Sequence, residues 1–171
     1  MLLVIPMIHK ILLFCAAAAM LLNSLTLPAS AASCSLYDTL SEEEISTIEI
    51  VVQHELGGLS KEYKVLVAEV IYNRLRSEEF PDTVNEVLFQ EGQFSGIDRW
   101  FSPKIKADKD TKAAVKEVFS KDKAEHDSLY YYNPALSEYS SIVWFESGAI
   151  EFCFEHSETS WGITYRTRFF K

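Results

Sequence analysis

Ser41-Glu42-Glu43-Glu44-Ile45-Ser46-Thr47-Ile48-Glu49-Ile50-Val51-Val52-Gln53-His54-Glu55-Leu56-Gly57-Gly58 is the stretch on which the reading of this chain turns. Ser41 followed three residues later by Glu44 is a capping box, so a helix starts at about Glu42. Gly57-Gly58 stops it after Leu56. At about 100 degrees per residue, Ile45, Ile48, Val51, Val52 and Leu56 share one arc of about 140 degrees. Glu55 falls inside that arc. A carboxylate on a core-facing stripe needs an explanation, because unpaired acids are almost never buried. Desolvation would raise its pKa toward neutrality and make it a general acid. The plain alternative is a helix-end Glu that turns back to water or bonds a neighbouring backbone group.

Working outward, a second helix is predicted from about Lys61 to Arg76, with Ser60 as its cap. Its wide apolar face (Tyr63, Leu66, Val67, Val70, Ile71, Leu75) suits a central, mostly buried helix. Phe80-Pro81 breaks the chain, and Asp82 or Thr83 caps a short helix through about Phe89. Gln90 to Pro103 reads as a long aromatic loop of low charge, more a binding surface than a linker. A further helix, about Lys109 to Ser120, buries Ala114, Val115, Val118 and Phe119. From Ser128 the pattern becomes aromatic and β-branched. Leu129–Tyr132, Ile142–Phe145, Ile150–Phe154 and Ile163–Phe170 are read as strands. Helices first and short strands last make an α+β, mainly helical fold.

The N-terminal segment reads differently. Met1 to Leu27 is nearly all apolar, has one basic spot at His9-Lys10 and contains no acid. Ala29-Ser30-Ala31 supplies the small-residue cleavage pattern, so residues 1–31 are expected to be a secretory signal peptide. An uncleaved anchor is the alternative. Residues 32–171 suffice for one domain. The chain carries a net charge of −9, and removing the leader takes away only Lys10. Such acidity argues against nucleic acid and anionic membranes as partners. Membrane contact is then expected only through an uncleaved leader. Cys34 and Cys153 are left, which in an exported protein suggests one disulfide; two unpaired thiols is the competing reading.

Several chemistries are excluded. His54-Glu55 lacks a second His at position 58, where Gly58 stands, so the zinc-protease helix motif is absent. The histidines and the two cysteines show no metal-ligand spacing. There is no G-x-S-x-G elbow and no phosphate-binding Gly loop. A Cys153–His156 hydrolase is disfavoured because Cys153 sits between two phenylalanines. One acid is left beside a neutral, aromatic surface: Asn73-Arg74, Gln93-Phe94-Ser95 and Tyr131-Tyr132-Asn133-Pro134. Asn73 can brace helices, Arg74 can pair with a surface acid, and the tyrosines can be ordinary sheet residues. Together they suit a sugar cleft.

Five blocks in this order, Val51–Gly58, Val70–Leu75, Phe80–Val84, Gln93–Ser95 and Tyr131–Pro134, resemble the catalytic domain of the spore cortex-lytic, SleB/CwlJ-type cell-wall hydrolases. The resemblance spans about Ile45 to Phe170. It implies a compact single domain similar to lysozymes and lytic transglycosylases, secreted or at the cell envelope, monomeric and acting on peptidoglycan. It also implies cleavage of the glycan strand beside muramic acid with Glu55 as the catalytic acid, and no cofactor or metal. Gln93, Ser95 and Asn133 would orient sugar hydroxyls or acetamido groups, Phe94 and Tyr132 would stack on ring faces, and Asn73 would position Glu55 or substrate. Spore cortex lysis in germination is the corresponding process. The chain departs from the pattern at Leu59, where the family often has a second acid, and at Thr167, where it commonly has a His. A non-catalytic peptidoglycan-binding domain and an N-acetylmuramoyl-L-alanine amidase remain as alternatives.

Overall fold

The computed structural model describes residues 34–91, 93–94 and 104–171. The expected leader and Ser95 lie outside the described residues. In chain order the elements are α1 (Leu36–Thr39), α2 (Glu42–Leu56), α3 (Lys61–Arg74), α4 (Val84–Leu88), α5 (Lys109–Phe119), β1 (Tyr130–Tyr132), α6 (Tyr139–Glu146), β2 (Phe152–Ser160) and β3 (Ile163–Phe170). The strands form an antiparallel sheet in the order β1-β3-β2, with Tyr131 opposite Phe169.

Local chemistry sets the helix ends. The Ser41 hydroxyl accepts the Glu44 N–H at 3.2 Å, and the Ser41 N–H donates to Glu44 Oε2 at 2.8 Å, completing the capping box. Ser60 caps α3 by accepting from Tyr63 N at 3.2 Å, and Asp108 caps α5 by accepting from Thr111 N at 2.7 Å. The side chain of Gln53 ties two helices together: its Oε1 accepts from Asp108 N at 2.9 Å and from the Thr111 hydroxyl at 2.7 Å. Two residues on, Glu55 points to the other side of α2, since a two-residue step turns a helix by about 200 degrees.

Helix α3 is the hub. One face carries Ala68, Ile71 and Tyr72 into a cluster with Ile48, Val51 and Val52 of α2 and Val115, Val118 and Phe119 of α5. Another carries Tyr63, Val67 and Val70 against Leu56, Leu59 and Phe169, which seats the sheet on the helices. Each fully buried Val or Ile there stabilises the fold by roughly 1.5–3 kcal/mol. Lys64 is buried beneath this layer and is neutralised by Asp108 at 2.8 Å.

Three expectations are corrected here. Ile142–Phe145 is not a strand but the middle of α6. A run of four apolar residues has no period of its own, and here the helix packs only one side: Phe145 stacks on Tyr132 at 4.5 Å, while Val143 and Trp144 stay exposed. Strand β2 starts later than expected, at Phe152, and runs on to Ser160. The Cys34–Cys153 disulfide is not formed, and both thiols are free. Cys153 sits at the bulge between Phe152 and Phe154 on β2, which pairs only with β3, whereas the arm after Cys34 packs through α1 on α5.

Candidate active site

Glu55 ends α2 at the point where the sheet meets the helices. Its half-buried carboxyl lies in a cavity of about 160 Å³ whose wall is completed by Leu56, Gly57, Gly58, Leu59, Trp161 and Tyr165. Among the described residues it is the only acid in that wall. One partner is provided: the Tyr131 hydroxyl donates to Glu55 Oε2 at 3.2 Å. Burial raises the Glu55 pKa above its ordinary 4.5, and the single tyrosine bond pulls it only partly back. The reciprocal effect is larger, because burial and the adjacent carboxylate push the Tyr131 hydroxyl well above the usual phenol range. Tyr131 therefore stays protonated and can serve Glu55 in either state.

The frame around Glu55 is tied down from both sides. The Glu158 carboxylate accepts the Ser60 N–H at 3.1 Å and the Ser60 hydroxyl at 2.5 Å, fixing the Gly57–Leu59 turn to strand β2. At the β2–β3 turn Trp161 holds a left-handed φ of 50°, followed by Gly162 at φ 79°. Its indole lies directly over Gly58, where an added Cβ would come within 2.4 Å of the ring. The ring is nonetheless 82% exposed. An exposed indole beside a half-buried acid is the arrangement expected of a platform for a sugar ring, which has an apolar face and polar edges.

A second cavity, about 480 Å³, is lined by Tyr131 together with Arg74, Glu91, Gln93, Tyr130, Trp144 and neighbouring serines. The Tyr131 hydroxyl links this wall to the Glu55 carboxyl. A third cavity, about 690 Å³, is lined by Glu43, Thr47, Asn85, Glu86 and Phe89. It sits at the far end of α2: the eight residues from Thr47 to Glu55 span about 12 Å at 1.5 Å each. Lacking Glu55, it is not the site.

The structure brings together only part of the expected set. Glu55 and Gln93 line the two cavities that Tyr131 links. Phe94 is not a stacking face: it is 2% exposed, packed against Tyr131 and lying 5.3 Å beneath the Arg74 guanidinium. Tyr132 is also turned away, buried against Phe145 and Phe170, with its hydroxyl on Glu146. Asn133 spends its Oδ1 on the Ala135 N–H at 2.9 Å, a local turn. Asn73 braces α3 to the segment before β1, donating to the carbonyls of His126 at 2.9 Å and Ser128 at 3.1 Å. It lines a separate cavity with His126 and lies away from Glu55.

Three site residues went unrecognised in the sequence: Tyr131 as the partner of Glu55, Trp161, and Arg74 as a buried wall residue. Tyr131 sits in a Tyr130-Tyr131-Tyr132 run, where identical residues hide which face is which. The Trp161-Gly162 pair between two aromatic-rich strands was the available signal for a turn. The two departures are structural here. Leu59 is core, and Thr167 is buried with its hydroxyl accepting from Tyr63 at 2.6 Å. His156 stands directly across the ladder from Thr167, its ring 4.6 Å from that of Tyr63. Among the described residues no cluster of three or more His, Cys, Asp or Glu could hold a metal ion, and no helix is long and apolar enough to cross a membrane.

Comparison with known proteins gives the family and the fold. Residues 58–156 match the family model described as Cell Wall Hydrolase, a segment that starts just after Glu55 and includes Arg74 and Tyr131. A curated spore cortex-lytic enzyme of Oceanobacillus iheyensis is 35% identical over 107 residues, covering 61% of this chain and 37% of that protein. This chain therefore spans well under half the length of that relative. The catalytic domain of the germination-specific lytic transglycosylase SleB from Bacillus anthracis shares the fold, with a TM-score of 0.60 at 24% identity over 77% of this chain and 97% of that one. The SleB catalytic domain from Bacillus cereus gives a TM-score of 0.56 at 24% identity, over 77% and 91% of the two chains. With more than half of its length matching the family model, this chain belongs to the cell wall hydrolase family.

Proposed function

We propose that this chain cleaves the glycan strand of peptidoglycan beside muramic acid as a lytic transglycosylase, with Glu55 as its single acid and base. The observation that carries the reading is the solitary, under-partnered Glu55 carboxyl between Tyr131 and the exposed Trp161. Two-carboxyl glycosidases place a nucleophile or base across the scissile bond. Among the described residues the Glu55 cavity offers none. A one-carboxyl route is available when the substrate brings its own nucleophile. Protonated Glu55 gives its proton to the glycosidic oxygen as the bond from the anomeric carbon breaks. The resulting carboxylate, held by the Tyr131 hydroxyl, then takes the proton of the muramic 6-hydroxyl, whose oxygen attacks the anomeric carbon. A 1,6-anhydro ring forms, Glu55 ends protonated as it began, and no water is consumed. Gln93 lies where it can orient a sugar substituent, and Trp161 where it can support a ring face.

The leader-like first 31 residues support export to the cell envelope. The names of the relatives support spore cortex in germination as the setting. Digestion of purified peptidoglycan followed by mass analysis tests the reaction. Anhydro-muramyl ends, lighter by one water than reducing ends, are expected. Reducing muramic ends would show hydrolysis, released stem peptides an amidase, and intact strands with retained binding a non-catalytic module; each would overturn the proposal.

A further inference from the structure

Among the described residues, Arg74 is the one buried cation that the proposed chemistry does not use and that no carboxylate neutralises. It is 2% exposed. Its Nε donates to the Leu129 carbonyl at 2.7 Å, and its guanidinium carbon lies 5.0, 5.3 and 5.6 Å from the ring centres of Phe80, Phe94 and Tyr130. The three rings fix the plane of the guanidinium and favour its charge. They do not accept its remaining N–H groups well, and Nη1 is buried without a hydrogen-bond partner. Burial lowers the Arg74 pKa to about 10, which leaves it charged at neutral pH. Lys64, the comparably buried cation, has Asp108 at 2.8 Å. Buried polar groups are nearly always satisfied, so a guanidinium held this rigidly with an idle donor edge in a cavity wall implies an acceptor from outside the chain.

The wall around that edge selects the acceptor. Arg74 shares the 480 Å³ cavity with Gln93, Ser140 and Ser141, which are neutral, and with Tyr130 and Trp144, which are aromatic. Glu91 lines the same cavity, and Glu55 stands behind Tyr131. The Glu91 charge in the same wall offsets the attraction of one arginine for a ligand carboxylate or phosphate. A neutral carbonyl oxygen has no such penalty, and the aromatic wall suits the apolar group attached to it. We propose that the cavity beside Tyr131 is an acyl-carbonyl subsite, in which the guanidinium edge of Arg74 that carries Nη1 donates to a neutral amide oxygen borne by the sugar chain. The assignment rests on the glycan reading above. It places the amide in the cavity lined by Tyr131, apart from the wall that carries Trp161, so that Arg74 sets which substituent flanks the bond presented to Glu55. The amide has two possible sources, the acetamido group of a hexosamine or the lactyl-peptide amide of muramic acid.

The test is calorimetric binding to the full chain carrying Glu55→Gln, so that ligands are not consumed. One arm compares an N-acetylglucosamine tetramer with the glucose tetramer, which is neutral and lacks the amide. The other compares glycan-strand fragments whose lactyl group is a peptide amide with fragments whose lactyl group is a free carboxylate. Loss of the amide is expected to weaken binding about 10- to 100-fold in one arm, the range for a hydrogen bond to a charged group, and that arm identifies the source. Arg74→Lys keeps the charge but removes the fork, and is expected to level the affinities. Equal affinities in both arms, no binding of any ligand, or discrimination that survives in folded Arg74→Lys would each overturn the subsite. The ligand series is read on native Arg74, so a misfolding variant does not blunt it. A parallel digest with unsubstituted chain separates the two claims. Cleavage without amide discrimination removes the subsite alone, and amide discrimination without cleavage removes the enzymatic reading alone.

Discussion

Two helical glutamates on adjacent helices, Glu55 on α2 and Glu69 on α3, face the interior, and the molecule treats them in opposite ways. Glu69 is 0% exposed and enclosed: its Oε1 accepts the Glu125 N–H at 3.0 Å with Lys121 4.0 Å away, and its Oε2 stands 3.2 Å from His126 Nε2. Glu55 keeps an opening to a cavity and has one phenolic hydroxyl. Burial alone therefore does not mark a reactive acid. A carboxyl sealed in the interior that accepts a backbone N–H is a structural strut with no route to a substrate. A carboxyl that is dried, opens to a cavity and has a single hydroxyl for a partner holds its proton more tightly than it would in water.

That contrast can be broken by substitution. Glu55→Gln is expected to lower peptidoglycan cleavage by about 10²–10⁴-fold, the usual share of a general acid–base residue, while leaving the thermal midpoint intact. Truncation at Glu69 should do the reverse. Glu69→Ala leaves the part-buried Glu125 N–H without its acceptor, and a loss of about 1–3 kcal/mol by denaturant unfolding is expected, with cleavage per folded molecule little changed. Loss of activity in a well-folded Glu69 variant would mean that the two acids are not separate in role.

The platform opposite Tyr131 gives a smaller effect. Trp161→Ala should raise KM several-fold with kcat nearly unchanged, since aromatic contacts contribute about 0.5–1.5 kcal/mol beyond simple burial. Gly58→Ala should mimic it, because the new Cβ would meet the indole at 2.4 Å and displace it. If Gly58→Ala binds substrate normally, the seat of the indole on Gly58 is irrelevant to binding.

The smallest expected signal is in stability. The folded chain holds the Glu55 proton more tightly than the unfolded chain does, so stability falls as pH rises from the ordinary 4.5 through the raised folded value. Gln has no proton to lose. Glu55→Gln should therefore equal the parent in stability below that window and gain on it progressively above. A gain that is the same at every pH would place its cause in packing rather than in the carboxyl.

The helical half was readable because each signal is local. Ser41 and Glu44 form their box within one turn, and the stripe from Ile45 to Leu56 already points Glu55 inward. The sheet half was harder. In Tyr130-Tyr131-Tyr132 a one-residue choice of face decides which hydroxyl meets Glu55, and that choice is fixed by the pairing of Tyr131 with Phe169, far along the chain. Tyr132 was selected as a site residue, and it is Tyr131 that arrives. Phe94 reads as a surface ring because its loop is aromatic and low in charge, like a binding surface, and the buried Arg74 guanidinium recruits it to the interior instead. Ile142–Phe145 carries no alternation, so its helical state depends on Phe145 finding Tyr132 and Phe170 to cover. Trp161 acquires its role only when the β2–β3 turn is folded over Gly58.

The account depends on the protonation of Glu55 at rest, and that can be observed directly. A ¹³C-carboxyl titration of the glutamates, with Glu55→Gln used to assign the signal, should show the Glu55 resonance titrating above the ordinary carboxylate range and moving higher still in Tyr131→Phe, which removes the one bond that favours the anion. A Glu55 signal titrating at or below 4.5, unmoved by Tyr131→Phe, would contradict it.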